Sequence, residues 1–220
     1  KQLLKSGANI KEINTIRKHL SKIKGGNLIK ICQPSRVHCF ILSDVVGDDL
    51  SSIASGLTVP DNTEFKEAEQ ILKKYTLWKK ISKNIREHII RGKTDKKIET
   101  PKKNNPIFKK VKNTLIGSNS LCLQSMDDYC KKKKIPSKIW KKNIENDVEK
   151  LAEIFIRDLK TIKTSRPLLL ISGGETTVNI KGKGKGGRNQ EFALHLANKI
   201  KEKMPPQKFT LLSVGTDGRD

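Results

Sequence analysis

The chain has 220 residues, is 35% hydrophobic and 5% aromatic, and carries 46 Lys and Arg against 23 Asp and Glu, a formal net charge of +23. That length allows one large domain or two small ones, and no apolar run approaches the ~20 residues needed to cross a bilayer, so no membrane partner is expected. The charge raises a nucleic-acid-binding module, but Lys far outnumbers Arg, the Lys are spread along the whole chain and stacking aromatics are scarce, so a solvated surface is the plainer reading and no specific nucleic acid is expected.

Ile10, Ile13, Ile16, Leu20 and Ile23 share one face and predict a helix over 9–24, stopped by Gly25-Gly26. Arg17, Lys18, Lys22 and Lys24 form its polar face. Residues 36–43 read as a strand whose near-continuous apolar run suits burial on both faces of a parallel sheet. Helices are predicted over 64–75 and 77–91. The polar stretch 92–110, with Pro101, Pro106 and many Lys, reads as a linker or long surface loop. A second block starts near Val111, with a strand over 111–116, then Gly117-Ser118-Asn119, then a helix to about Lys131. Ile144, Val148, Leu151, Ile154, Phe155 and Leu159 predict an amphipathic helix over 143–160. Residues 167–172 form a strand, 177–180 a further short one, Arg188 to Lys203 a helix, and 208–214 a last strand. Strands alternating with helices give an α/β protein with mainly parallel strands, in two domains over 1–110 and 111–220.

Neither the Cys nor the His residues have metal-ligand spacing. Cys32, Cys39, Cys122 and Cys130 form no CxxC pair, and His19, His38, His88 and His195 are scattered. Free thiols in a reducing cytosol and structural imidazoles are the readings taken.

Chemistry points instead to the loops that follow strands, because ligands of open parallel sheets bind at strand carboxyl ends. Ser43, Asp44, Asp48 and Asp49 surround Gly47 after the first strand, where carboxylates can hold Mg²⁺ or accept a hydroxyl proton. Ser172 to Thr177 supplies Gly173, Gly174, Glu175 and Thr176, a pattern suited to a substrate or phosphate. Gly182, Gly184 and Gly187 formally match GxGxxG, a weak signal when alone. Gly187 and Arg188 open a helix, so a guanidinium adds to the helix dipole as a phosphoryl cradle. Asp217, after the last predicted strand, is a metal or general-base carboxylate on one reading and an ordinary turn residue on the other.

Several stretches together resemble the type II glycerate kinase family, whose C-terminal module is the MOFRL domain. They are residues 6–26 (SGANIKEINTIRKHLSKIKGG), 41–56 (ILSDVVGDDLSSIASG), 58–61 (TVPD), 115–119 (LIGSN), 172–194 (SGGETTVNIKGKGKGGRNQEFAL) and 215–218 (GTDG). Leu57 departs from the family, which usually has Pro there. The resemblance implies two three-layer α/β/α Rossmann-like domains facing each other across a cleft, both incomplete here, with phosphorylation of glycerate, usually to 2-phosphoglycerate, by ATP with a divalent cation such as Mg²⁺. It implies a cytoplasmic enzyme of which this chain is a fragment, inactive alone. The family's cleft Arg falls on Arg188, the phosphoryl clamp. Asp44 and Asp217 are candidates for activating the glycerate hydroxyl, and Asp48 and Asp49 for the metal. Gly173, Gly174, Glu175, Thr176, Gly187, Asn189, Ser118, Asn119 and Lys24 are candidates for holding substrate or nucleotide, although a solvated helix face is the plainer place for Lys18 and Lys24. The rival reading is an NAD(P)H-dependent hydroxypyruvate reductase, a label common in this family and one that the GxGxxG invites.

Overall fold

A computed structural model describes residues 2–179, 182, 184–204, 208–216 and 218. The chain divides into two compact units, Lys1–Ser118 and Asn119–Asp220. The first contains α1 (Gln2–Lys5), α2 (Ile10–Leu20), α3 (Asn27–Cys32), β1 (Val37–Leu42), α4 (Phe65–Lys74), α5 (Lys83–Thr94) and β2 (Val111–Gly117), with 3₁₀ turns at Ile53–Ser55 and Pro106–Lys110. The second contains α6 (Asn119–Lys132), β3 (Ser137–Ile144), α7 (Val148–Leu159), β4 (Leu169–Gly174) and α8 (Arg188–Lys203). Among the described residues, β1 pairs with β2 and β3 with β4, each a parallel two-stranded sheet, so the α/β class with parallel strands holds in both units.

In the first unit, α2 starts at a capping box: Glu12 N donates to Asn9 Oδ1 and Asn9 N to Glu12 Oε2, both at 3.0 Å. It ends at Leu20, earlier than the predicted 24, because Gly25 N and Gly26 N turn back to the carbonyls of Ser55 and Gly56 at 3.0 and 2.7 Å. Its buried face also differs from the apolar stripe. Ile10, Leu20 and Ile23 are exposed, whereas Lys18 and His19 are buried beside Ile13 and Ile16. Lys18, expected on a solvated face, is inside because Asp61, fully buried, lies 3.2 Å from its Nζ.

The core of this unit gathers Ile16, Phe65, Ala68, Leu72, Leu77 and Ile89. Phe65 is met edge-on by His19 and His88, with ring centroids 4.6 and 5.3 Å away. The stretch expected to be a linker is bound into this core. Glu99 accepts from His19 Nε2 at 3.0 Å, from Phe65 N at 3.2 Å and from Thr100 N at 2.7 Å. The α5 helix starts at Lys83 rather than 77, because Leu77 and Trp78 turn back to the Leu72 carbonyl. β1 is not buried on both faces: Phe40 and Leu42 stand 69% and 73% exposed. β2, expected to open the second block, pairs with β1 and lies in the first unit.

In the second unit, β3 was not expected. Its Lys-rich sequence shows no clean alternation, yet it pairs with β4 and occupies the start of the predicted 143–160 helix. The helix begins instead at Val148, capped by Asp147, whose carboxylate accepts from Glu149 N at 3.0 Å. Ala152 and Ile156 of α7 pack on Leu196 and Ile200 of α8. The run 208–214 pairs with no strand among the described residues, although Leu211 packs against that helix pair. Where a strand over 177–180 was expected, the described part shows a single bridge from Thr177 to Asp147.

Gly92 sits inside α5 against the Phe65 ring, which a Cβ would overlap. Gly92→Ala gains about 1 kcal/mol of helix propensity but costs about 1–3 kcal/mol in overpacking, so the melting temperature of this unit falls rather than rises. Burial alone would raise the Glu99 carboxyl, but hydrogen bonds from His19 and Thr100 and the nearby positive charges hold it at about 2, below its ordinary 4.5. A depressed folded pKa stabilises above the unfolded value, and that share is lost as pH falls from about 4.5 towards 2. Urea titrations followed by Trp78 fluorescence should show this loss in the native chain and a flatter acid limb in Glu99→Gln.

Candidate functional site

In the second unit, β4 ends in Gly173-Gly174, and the backbone packing demands the second of them. A Cβ on Gly173 would overlap the Asn119 side-chain oxygen, and one on Gly174, at φ +147°, would overlap the Ile144 backbone. This close approach lets Glu175 N donate to Ile144 O at 2.7 Å and Thr177 N to Asn146 O at 3.1 Å. Thr177 O in turn accepts from Val148 N at 3.0 Å, so the loop after β4 is fastened to the start of α7. Thr176, half-buried, lies between these anchors.

Gly187, in extended backbone, caps α8, and Arg188 is its first residue. Arg188 Nη1 lies 2.6 Å from Glu175 Oε1, and both side chains are partly exposed. The structure therefore brings together Gly174, Glu175, Gly187 and Arg188 at the positive end of a helix, a corner suited to an anion. Asn189 adjoins it and accepts from Ser213 Oγ at 2.9 Å, which brings the chain leading to Gly215 past the start of α8. Asp217 lies outside the described residues. Asn119 is engaged from within: its side-chain amide donates to the Lys142 carbonyl while its oxygen backs Gly173, so it shapes the glycine loop.

The remaining candidates belong to the first unit. Ser118 is buried just after β2. Asp44 is exposed and Asp48 half-exposed at φ +56°. Burial opposes ionisation of Asp49, but hydrogen bonds from Ser52 Oγ at 2.7 Å and from Ser51 Oγ and N hold its carboxyl below the usual range. Among the described residues, no set of three or more His, Cys, Asp or Glu is arranged to hold a metal ion, and all four thiols are free. Lys24 does not stand free on a helix face: its Nζ donates to Ala54 O at 2.9 Å.

The same region holds features that the sequence reading missed. Ala54, Ser55 and Gly56 are consecutive left-handed residues, with φ of 49°, 59° and 67°. Ser55 Oγ donates to Asn14 Oδ1 at 3.0 Å, and Asp61 holds Lys18. The only sequence signal was that these residues lie inside the 41–56 and 58–61 motifs. A groove of about 680 Å³ beside α2 is lined by Lys18, Lys30, Ile85 and His88. Three of its polar groups are already engaged, Lys18 with Asp61, Lys30 with Glu99 O and His88 with His19 O.

Comparison with known proteins matches residues 1–90 to the family model described as a domain of unknown function, DUF4147, and residues 168–220 to the MOFRL family. A glycerate 2-kinase of Pyrococcus horikoshii is 41% identical over 99% of this chain and 49% of its own length. The crystal structure of a Thermotoga maritima glycerate kinase superposes with a TM-score of 0.77 at 37% identity, covering 90% of this chain and 46% of that one. A protein of Agrobacterium vitis, 34% identical over 90% of this chain and 45% of its own, bears the name putative hydroxypyruvate reductase. The chain thus spans about half the length of the curated relatives it matches.

Gly174→Ala places a side chain where Ile144 backbone stands and holds it at a φ that costs about 1–3 kcal/mol. The second unit should unfold at lower urea, seen by Trp140 fluorescence in a Trp78→Phe background, while the first unit is unmoved.

Proposed function

We propose, from the premise that the chain belongs to the glycerate kinase family, that it forms part of an enzyme moving the terminal phosphoryl group of ATP to a hydroxyl of D-glycerate, giving 2-phosphoglycerate. The observation that carries this reading is the corner where Arg188, at the start of α8, meets the glycine-rich end of β4. Phosphoryl transfer asks the protein for positioning and charge neutralisation more than for covalent chemistry. A planar guanidinium at a helix N-terminus supplies both.

On this reading Arg188 clamps the transferring group, Gly187 lets the backbone come close, and Thr176 and Asn189 orient substrate or nucleotide. Asp44 or Asp217 accepts the glycerate hydroxyl proton. Mg²⁺, when bound, neutralises phosphate charge. It commonly takes one or two carboxylates together with phosphate oxygens, which Asp44, exposed, and Asp48, half-exposed, fit better than Asp49. The Asp49 carboxylate is already occupied by Ser51 and Ser52. Lys24, tied to the Ala54 carbonyl, supports the left-handed turn beside it. Free thiols agree with a reducing cytoplasm, and no described helix is long and apolar enough to cross a membrane.

The reductase reading has less support. A dinucleotide fingerprint needs its first glycine at the tight turn that leaves a strand. β4 ends at Gly174, well before Gly182, and among the described residues no strand leads into the GxGxxG.

The full-length protein given ATP, Mg²⁺ and D-glycerate should yield ADP and 2-phosphoglycerate by NMR. Arg188→Ala should lower kcat by about 10²-fold or more, on the scale of losing one preorganised charge-stabilising donor. NADH consumption with hydroxypyruvate, and no ADP from glycerate, would reverse the assignment.

A further inference from the structure

Glu175 is placed by its backbone, independently of its side chain. Its amide is bonded to Ile144 O, the neighbouring Thr177 is bonded to Asn146 and Val148, and Gly174 allows no lateral freedom against Ile144. The carboxylate is thereby delivered to Arg188, 2.6 Å away, through one guanidinium nitrogen. Any anion that takes Arg188 meets this carboxylate as a competitor.

We propose that Glu175 is the internal counter-ion of Arg188, displaced by the incoming phosphoryl group, rather than a residue that binds substrate or nucleotide. The inference rests on the reading of Arg188 as the anion clamp. Half-exposed ion pairs are weak, because solvent screens them and two long side chains must be ordered. A phosphoryl group carries about −1.5 to −2 charges and several strong acceptor oxygens, and it can engage the guanidinium fork at two points. It therefore wins the exchange. The displaced carboxylate remains nearby, since its backbone is fixed, and repels the bound anion. Glu175 thus weakens the hold on substrate and product alike, keeps the corner from retaining stray anions and helps the phosphorylated product to leave.

The test is calorimetric binding of inorganic tripolyphosphate, without metal, to the full-length protein and its variants. Gln at position 175 keeps the backbone bonds, and matching melting curves verify the fold. Glu175→Gln should tighten binding about two- to five-fold, the scale of an exposed ion pair. Glu175→Asp, charged but shorter, should fall between the two. The gain should vanish in Arg188→Ala. Weaker or unchanged binding in Glu175→Gln, while Arg188→Ala still loses affinity, overturns the counter-ion role but leaves the clamp. Unchanged binding in Arg188→Ala removes the clamp itself, and the inference with it.

Discussion

The candidate site of the second unit depends on a missing side chain. Parallel strands leave their sheet at the same edge, so the loops after β3 and β4 emerge side by side. At Gly174 the two backbones come so close that no Cβ fits beside Ile144. That contact sets the bonds from Glu175 and Thr177 back to the β3 end, and through Thr177 it sets where α7 begins. From this fixed frame follows the aim of Glu175, whose carboxylate reaches Arg188 at 2.6 Å.

The first unit solves a comparable problem with charge. Lys18 and Asp61 are both buried, and a buried ion pair seldom gains more from attraction than it loses in desolvation. Asp61 offsets part of that cost by also accepting from Thr63 N and Oγ1. What the pair accomplishes is placement. It fixes residues 58–61 against the last turn of α2, while Gly25, Gly26, Asn14 and Lys24 fasten residues 54–56. Left-handed backbone at Ala54 and Ser55 persists only where surrounding contacts over-determine it. Both residues lie in a stretch that resembles the glycerate kinase motifs, so the strain falls where a functional loop is expected.

Much of this was legible in the sequence, and the failures share a cause. The helices at Phe65–Lys74 and Arg188–Lys203 fall within one residue of the spans read from the sequence. The turn that ends β4 was readable from its paired glycines, but its meeting with Arg188, 13 residues further on, has no signal in the sequence. β3 escaped because Lys138, Lys141 and Lys142 interrupt any alternation, and it is held by pairing to β4 rather than by its own pattern. The stripe of α2 misled for the opposite reason. Periodicity assigns Ile to the inside and Lys to the outside, but Asp61 and Glu99, distant in sequence, pull Lys18 and His19 inward. Asn119 read as a ligand-binding residue, since no pattern shows that its amide already serves Lys142 and its oxygen backs Gly173.

The large positive charge and the single guanidinium act at different ranges. Several carboxylates are already taken by Lys: Glu69 by Lys73 and Lys93, Glu12 by Lys74, Asp127 by Lys131. With twice as many basic as acidic residues, most of the excess Lys is solvated. Such a field draws anions towards the surface, fades within about 8–10 Å at physiological salt, and cannot discriminate among them. Discrimination needs donors fixed relative to one another. Arg188 has that fixity from α8 and from Glu175, which also cancels its charge locally. On the proposed reading, selectivity rests on the geometry of the Arg188–Glu175 pair rather than on the sum of the protein's charges.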